Sequence, residues 1–214
     1  MAVAVNTATS ARGTASTLTF AHTTAGANKY LIVGVALRPG TVTVNTVTYA
    51  GVSMTRLTPD QVNGDVKCSM WELVAPAASG NVVITMSAAP TDGVIGGAVS
   101  FTGVDQTTPS SGVVKNATVS VTVTSVADDF VIDAIAVDEL LGAVGAGQTQ
   151  QWNLLQTGTR GAGSTEPGAA PSVVMSWASG TLPAHIGVNV KAAAAGGPFP
   201  PWPQRVFQSV LQPA

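Results

Sequence analysis

The sequence predicts an all-β protein: an antiparallel β-sandwich, jelly-roll-like, followed by an extended C-terminal arm. Three observations carry that prediction. The 214-residue chain holds 31 Val and 26 Thr, β-branched residues that suit a pleated surface better than a helix. Apolar and hydroxyl residues alternate with period two, most clearly in TVSVTVT at 118–124, as in a half-exposed antiparallel strand. Turn-forming residues break the chain at intervals of roughly 8–12 residues, the spacing of a sandwich or barrel.

Strands are expected in order along the chain. In 17–24, Leu18 and Phe20 alternate with Thr17 and Thr19, and 30–37 is a continuous apolar run closed by Arg38-Pro39-Gly40. In 42–49, Val42 and Val44 alternate with Thr43 and Asn45. Asn63-Gly64 is a type I′ hairpin signal, with positive φ at both positions, and leads into a strand at 66–74. Breakers around Gly80 and Pro90 bound a strand at 82–87, and 94–102 follows. The remaining strands are expected at 117–125, 130–137, 173–177 and 186–190. The best helix candidate, 138–141, lasts barely one turn before glycine ends it.

A weak internal repeat accompanies this pattern. A shift of 91 residues aligns Val82-Val83 with Val173-Val174 and Ile95-Gly96 with Ile186-Gly187, and a shift of 100 aligns 30–37 with 130–137. It reads either as chance in a Val/Ala/Gly-rich chain or as two related halves, about 1–110 and 111–192, of one sandwich domain. Beyond them, 193–214 changes character. Its prolines impose an extended course, yet it carries Phe199, Trp202 and Phe207. Aromatic residues are scarce in free tails. The arm is therefore expected to dock, on its own domain or on a neighbouring subunit, with Phe199, Trp202, Arg205, Phe207 and Leu211 as the contact residues.

Composition narrows the function. Charged residues make up 9% of the chain, against about 25% in an ordinary domain. Nine Lys and Arg with a net charge of -2 do not form a phosphate-binding surface, so no nucleic-acid partner is expected. One cysteine, Cys68, excludes an internal disulfide and a cysteine-based zinc site. No run reads as a membrane span, and the N-terminus lacks the basic and apolar regions of a secretory signal.

Motifs for catalysis are lacking. A nucleophilic triad needs Ser or Cys beside an oriented His, and only His22 and His185 are present. Neither Ser53 nor Ser164 sits in a complete nucleophile elbow. Asp128, Asp129, Asp133, Asp138 and Glu139 could offer hard oxygen ligands but read better as solvated turn carboxylates. Asp133 shares a strand face with Val131 and Ile135, which requires partial exposure or a hydrogen bond. No catalytic residue, metal or cofactor is therefore expected. A ligand role remains open for Gln150, Trp152 and Asn153, where a sugar could stack on the indole while amides bond its hydroxyls. The same Trp could equally plug the end of the sandwich.

Several runs carry a family resemblance: NKYLIVGVAL at 28–37, VTYAGVSMTRL at 47–57, MWELVAP at 70–76, VSFTGVDQTTP at 99–109, GQTQQW at 147–152 and GSTEPG at 163–168. Together they resemble a β-sandwich module of tailed-bacteriophage virion proteins and bacterial surface proteins, over roughly residues 15–192. The resemblance implies a structural or recognition module and brings no catalytic residues. The missing signal favours the phage setting. The expectation is a non-enzymatic head decoration or surface protein located in the virion. Its expected partners are other virion proteins and further copies of itself. A carbohydrate-binding or host-attachment module, with a glycan partner, is the alternative.

Overall fold

The computed structural model describes residues 1–194, and every regular element among them is a strand. The first half forms β1 (Ala4–Gly13), β2 (Thr17–Thr23), β3 (Tyr30–Leu37), β4 (Val44–Tyr49), β5 (Val52–Ser53), β6 (Thr55–Arg56), β7 (Gln61–Asn63), β8 (Val66–Val74), β9 (Ser79–Met86) and β10 (Val94–Thr102). The second half forms β11 (Ser110–Asn116), β12 (Ser120–Thr124), β13 (Phe130–Val137), β14 (Thr149–Gln156), β15 (Thr159–Pro167), β16 (Ser172–Ser176) and β17 (Ala184–Val190).

The strands build antiparallel sheets. In the first half, an inner sheet of order β1-β10-β3-β8, edged by β6 and β7, faces an outer sheet of order β2-β9-β4-β5. The chain passes repeatedly from one sheet to the other, as in the doubled Greek key of a jelly roll. The second half repeats the inner order as β11-β17-β13-β15, extended by β14. Its outer sheet holds only β12 and β16.

Side-chain alternation explains how the sheets stack. From β3, Leu31, Val33, Val35 and Leu37 pack with Val47, Val82 and Ile84 of the outer sheet. Tyr30, Ile32 and Ala36, on the opposite face, pack with Ile132, Ala134, Ala136, Ile186 and Val188 of the second inner sheet. The two inner sheets therefore lie back to back, and the molecule is a stack of four layers. Strands covered on both faces need apolar residues at every position. This accounts for the unbroken runs at 30–37 and 130–137: all of β3 is buried, and in β13 only Phe130 is partly exposed.

Differences from the sequence reading have local causes. β1, β11, β14 and β15, and the short β5, β6 and β7, were not expected. β15 is rich in small residues because other groups press on it: a Cβ at Gly161 would lie 2.7 Å from the Ala36 Cβ and 2.9 Å from the Ile95 Cβ. The hairpin between β7 and β8 turns one residue later than expected. Asn63 pairs with Val66, leaving Gly64 and Asp65 as the loop. Only Gly64 has positive φ, at 60°, which is the type II′ pattern and not type I′. The Asn63 amide instead donates to the Pro183 carbonyl at 3.0 Å, tying the hairpin to the second half.

The repeat also differs in detail. Tyr30 pairs with Phe101 and Phe130 with Val190, two residues away from what the aligned runs would give. An even offset leaves each side chain on the same face, so the apolar pattern survives without residue-by-residue equivalence.

Candidate functional site

The segment with the candidate sugar-binding residues is β14. A register shift between Gln150 and Trp152 sends their side chains apart, as a bulge re-aims a side chain. Gln150 is exposed, while Trp152 keeps only 5% of its surface. The indole lies over Gly163, its cross-strand partner, with Gly97 and Gly34 closing in from the facing inner sheet. A Cβ at Gly163 would stand 2.1 Å from the Trp152 Cη2, and one at Gly97 2.2 Å from Cε2. Neither ring face is open to a ligand. Asn153, half-buried, accepts from Arg160 Nη1 at 2.8 Å and donates to Gln150 Oε1 at 3.3 Å. Gln150 and Asn153 thus come together at the surface, while Trp152 is directed into the core.

The densest polar cluster is buried between the second inner sheet and its outer sheet. Asp133, fully buried on β13, accepts four hydrogen bonds. Oδ1 receives the Ser164 backbone N–H at 2.6 Å and the Ser164 hydroxyl at 2.8 Å. Oδ2 receives Trp177 Nε1 at 2.9 Å and pairs with His185 Nε2 at 2.8 Å. Gln148 extends the network by donating to Ser164 Oγ at 2.6 Å and accepting the Ser176 N–H at 2.8 Å. Four sheet elements and the segment before β14 thereby converge on one carboxylate. The placement of Asp133 between Val131 and Ile135 was the sequence signal of such a site. Its partners carried no signal, because they lie 31 to 52 residues downstream.

This cluster contains Ser, His and Asp in the wrong order for acyl transfer. The carboxylate stands between hydroxyl and imidazole, so His185 cannot take the Ser164 proton, as a triad requires. Nor are the carboxylates mostly solvated turn residues, as the sequence suggested. Asp129 is also buried, accepting from Asn189 Nδ2 at 2.7 Å and the Ala192 N–H at 2.8 Å. Asp138 pairs with Arg38, which also binds Asp65 at 2.8 Å and the Gly158 carbonyl at 3.0 Å. Arg38 thus joins the two halves. Among the described residues no group of three or more His, Cys, Asp or Glu could hold a metal ion, and no helix is long and apolar enough to cross a membrane.

His22 is the other buried imidazole. Its Nδ1 lies 2.8 Å from Thr9 Oγ1, and its Nε2 has no partner among the described residues. Burial pushes its pKa down to about 4, which makes it a weak base. The unfolded chain protonates this group near 6.5, so between pH 6.5 and 4 the unfolded state binds the extra proton. Stability is then expected to fall as the pH drops through that window, by up to about 3 kcal/mol. Urea midpoints at pH 7 and 4.5 check this. The His22→Gln variant should lose that part of the acid sensitivity, and an unchanged difference would assign it elsewhere.

Both outer sheets lack charge altogether: no strand of β2-β9-β4-β5 or of β12-β16 contains Asp, Glu, Lys or Arg. On the first, Thr17 and Thr46 flank Thr85, and Thr19 and Thr48 flank Val83. These rows face solvent. The described Trp and Tyr rings are all buried, so no exposed indole or phenol offers a stacking platform. The expected arm contacts, Phe199, Trp202, Arg205, Phe207 and Leu211, lie outside the described residues. Compared with known proteins, the chain matches no family model, no curated protein and no solved structure.

Proposed function

We propose that the protein is a non-enzymatic structural component of a bacteriophage particle, a decoration or surface protein of the head that acts as a homo-oligomer. The observation that carries this reading is the distribution of polar groups. Inside, the carboxylates Asp129 and Asp133 are consumed by internal hydrogen bonds. Outside, the two end faces of the stack are neutral and hydroxyl-rich. A lone protein with such faces lacks the charge that keeps sheet edges and surfaces apart, whereas neighbours in a permanent assembly can cover them. The sequence resemblance to virion modules supports the phage setting, and the aromatic residues of 193–214 supply apolar surface for the contact.

The test is deletion of 195–214 followed by electron microscopy of the assembled particle. The truncated protein is expected to fold and to lose most of its occupancy. Normal occupancy would overturn the role of the arm. A glycan array in which the intact protein binds one sugar class, and the Gln150→Ala variant does not, would favour the attachment reading instead.

A further inference from the structure

The two halves differ in one place that matters for assembly. In the first half, β9 is flanked on both sides, by β2 and by β4. Its counterpart β16 pairs only with β12. The far edge of β16 is partly covered by the segment before β14: Gly145 N–H donates to the Ser176 carbonyl at 2.8 Å, and the Ser176 N–H donates to Gln148 Oε1 at 2.8 Å. Because Ser176 points its backbone groups to that edge, the period of two sends those of Val174 and Ser172 the same way. Among the described residues nothing pairs with that stretch. Val174 beside it is 52% exposed, and Val126 at the same end of the stack is 54% exposed. An open, neutral, partly apolar edge is a template for strand addition.

We propose that residues 204–211 of a neighbouring copy complete this sheet, adding as a strand to the β16 edge where β4 stands in the first half. The proposal rests on the reading of the arm as an assembly contact and names its acceptor. Residues 204–211 include Val206, Phe207 and Val210, residues favoured in strands, and the apolar Leu211. They follow a proline-rich spacer of nine residues, 195–203, which spans about 28 Å when extended.

Chain direction favours a neighbour over the same copy. The described chain leaves beside the first half, where Ala193 N–H donates to the Gly103 carbonyl at 2.8 Å. That end also holds the start of β16, through the contacts of Val3 with Asp128 and of Ser125 with Pro171. The shortest course for a strand from the same copy enters at Ser172 and runs parallel to β16. A neighbour's strand can run antiparallel, as β4 does along β9, in the more stable pairing.

The full-length chain provides the test. Val174→Pro removes the outward N–H, and Val174→Lys places a charge on the exposed edge. Both substitutions are tolerated at Val174, because this strand edge is free. Each variant is expected to keep the thermal midpoint of the body and to weaken assembly at least tenfold, as deletion of 195–214 does. If deletion weakens assembly and neither Val174 variant does, the arm acts elsewhere and the β16 site is overturned. If none of the three weakens assembly, the arm reading fails as well. Mixing Val174→Cys chains with Phe207→Cys chains should give cross-linked dimers with a short bismaleimide, since Cys68 is buried. Cross-linking only within single chains carrying both changes would overturn the neighbour as donor.

Discussion

Gly163→Ala is expected to lower stability by about 3 kcal/mol or more, a large effect for one added methyl. The new Cβ would fall 2.1 to 2.5 Å from three atoms of the Trp152 six-membered ring. The ring cannot retreat, because Gly97 backbone stands against its five-membered ring and Gly34 stands near its edge. Either the sheets part or the indole leaves its slot. Trp152→Ala, which empties the slot, should cost about 3–5 kcal/mol. The double variant should cost clearly less than the sum, because the methyl then fills part of the space that the ring vacated. Denaturation by urea measures all three. A cost below about 1 kcal/mol for Gly163→Ala alone would show that the ring does not lie where these distances place it.

Asp133→Ala is expected to cost about 3–5 kcal/mol, since it leaves two side-chain donors, a hydroxyl and a backbone N–H buried without their acceptor. Asp133→Asn keeps the shape and one accepting oxygen, but turns its NH2 toward groups that already donate. It should fall between wild type and Asp133→Ala. The order matters more than the values. If both variants cost the same, the carboxylate's charge and not its geometry holds the network. The Trp177 indole N–H resonance should shift in both variants, because Trp177 donates directly to Asp133.

The sequence made the apolar central strands and the alternating strands of the outer sheets easy to read, and β1, β11, β14 and β15 of the inner sheets hard. β3, β8, β10 and β13 coincide with expected segments because apolar side chains fill both faces or one whole face. β1 and β15 carry small residues, Ala4, Ala8 and Ala11 in one and Gly161, Ala162 and Gly163 in the other. Such composition looks like loop. In β15 it records close approach by Ala36, Ile95 and Trp152, which no local pattern reveals. For the same reason the fate of Trp152 was not legible: the glycines that receive its ring lie on three different strands. Asp133 was legible as an anomaly, since a carboxylate on an apolar face demands partners, but their identity depended on the pairing of β13 with β15 and β17. A sandwich of many short strands was legible in the spacing of turns, whereas the order of strands within the sheets and the four-layer stack were not.

The back-to-back packing of the inner sheets has a calorimetric consequence. The largest apolar cluster belongs to neither half: Tyr30, Ile32 and Phe101 share it with Ile132, Ile186 and Val188. Melting one half would strip cover from the other at once. Although the chain contains two sandwiches, heating should therefore produce one endotherm, with van't Hoff and calorimetric enthalpies in agreement.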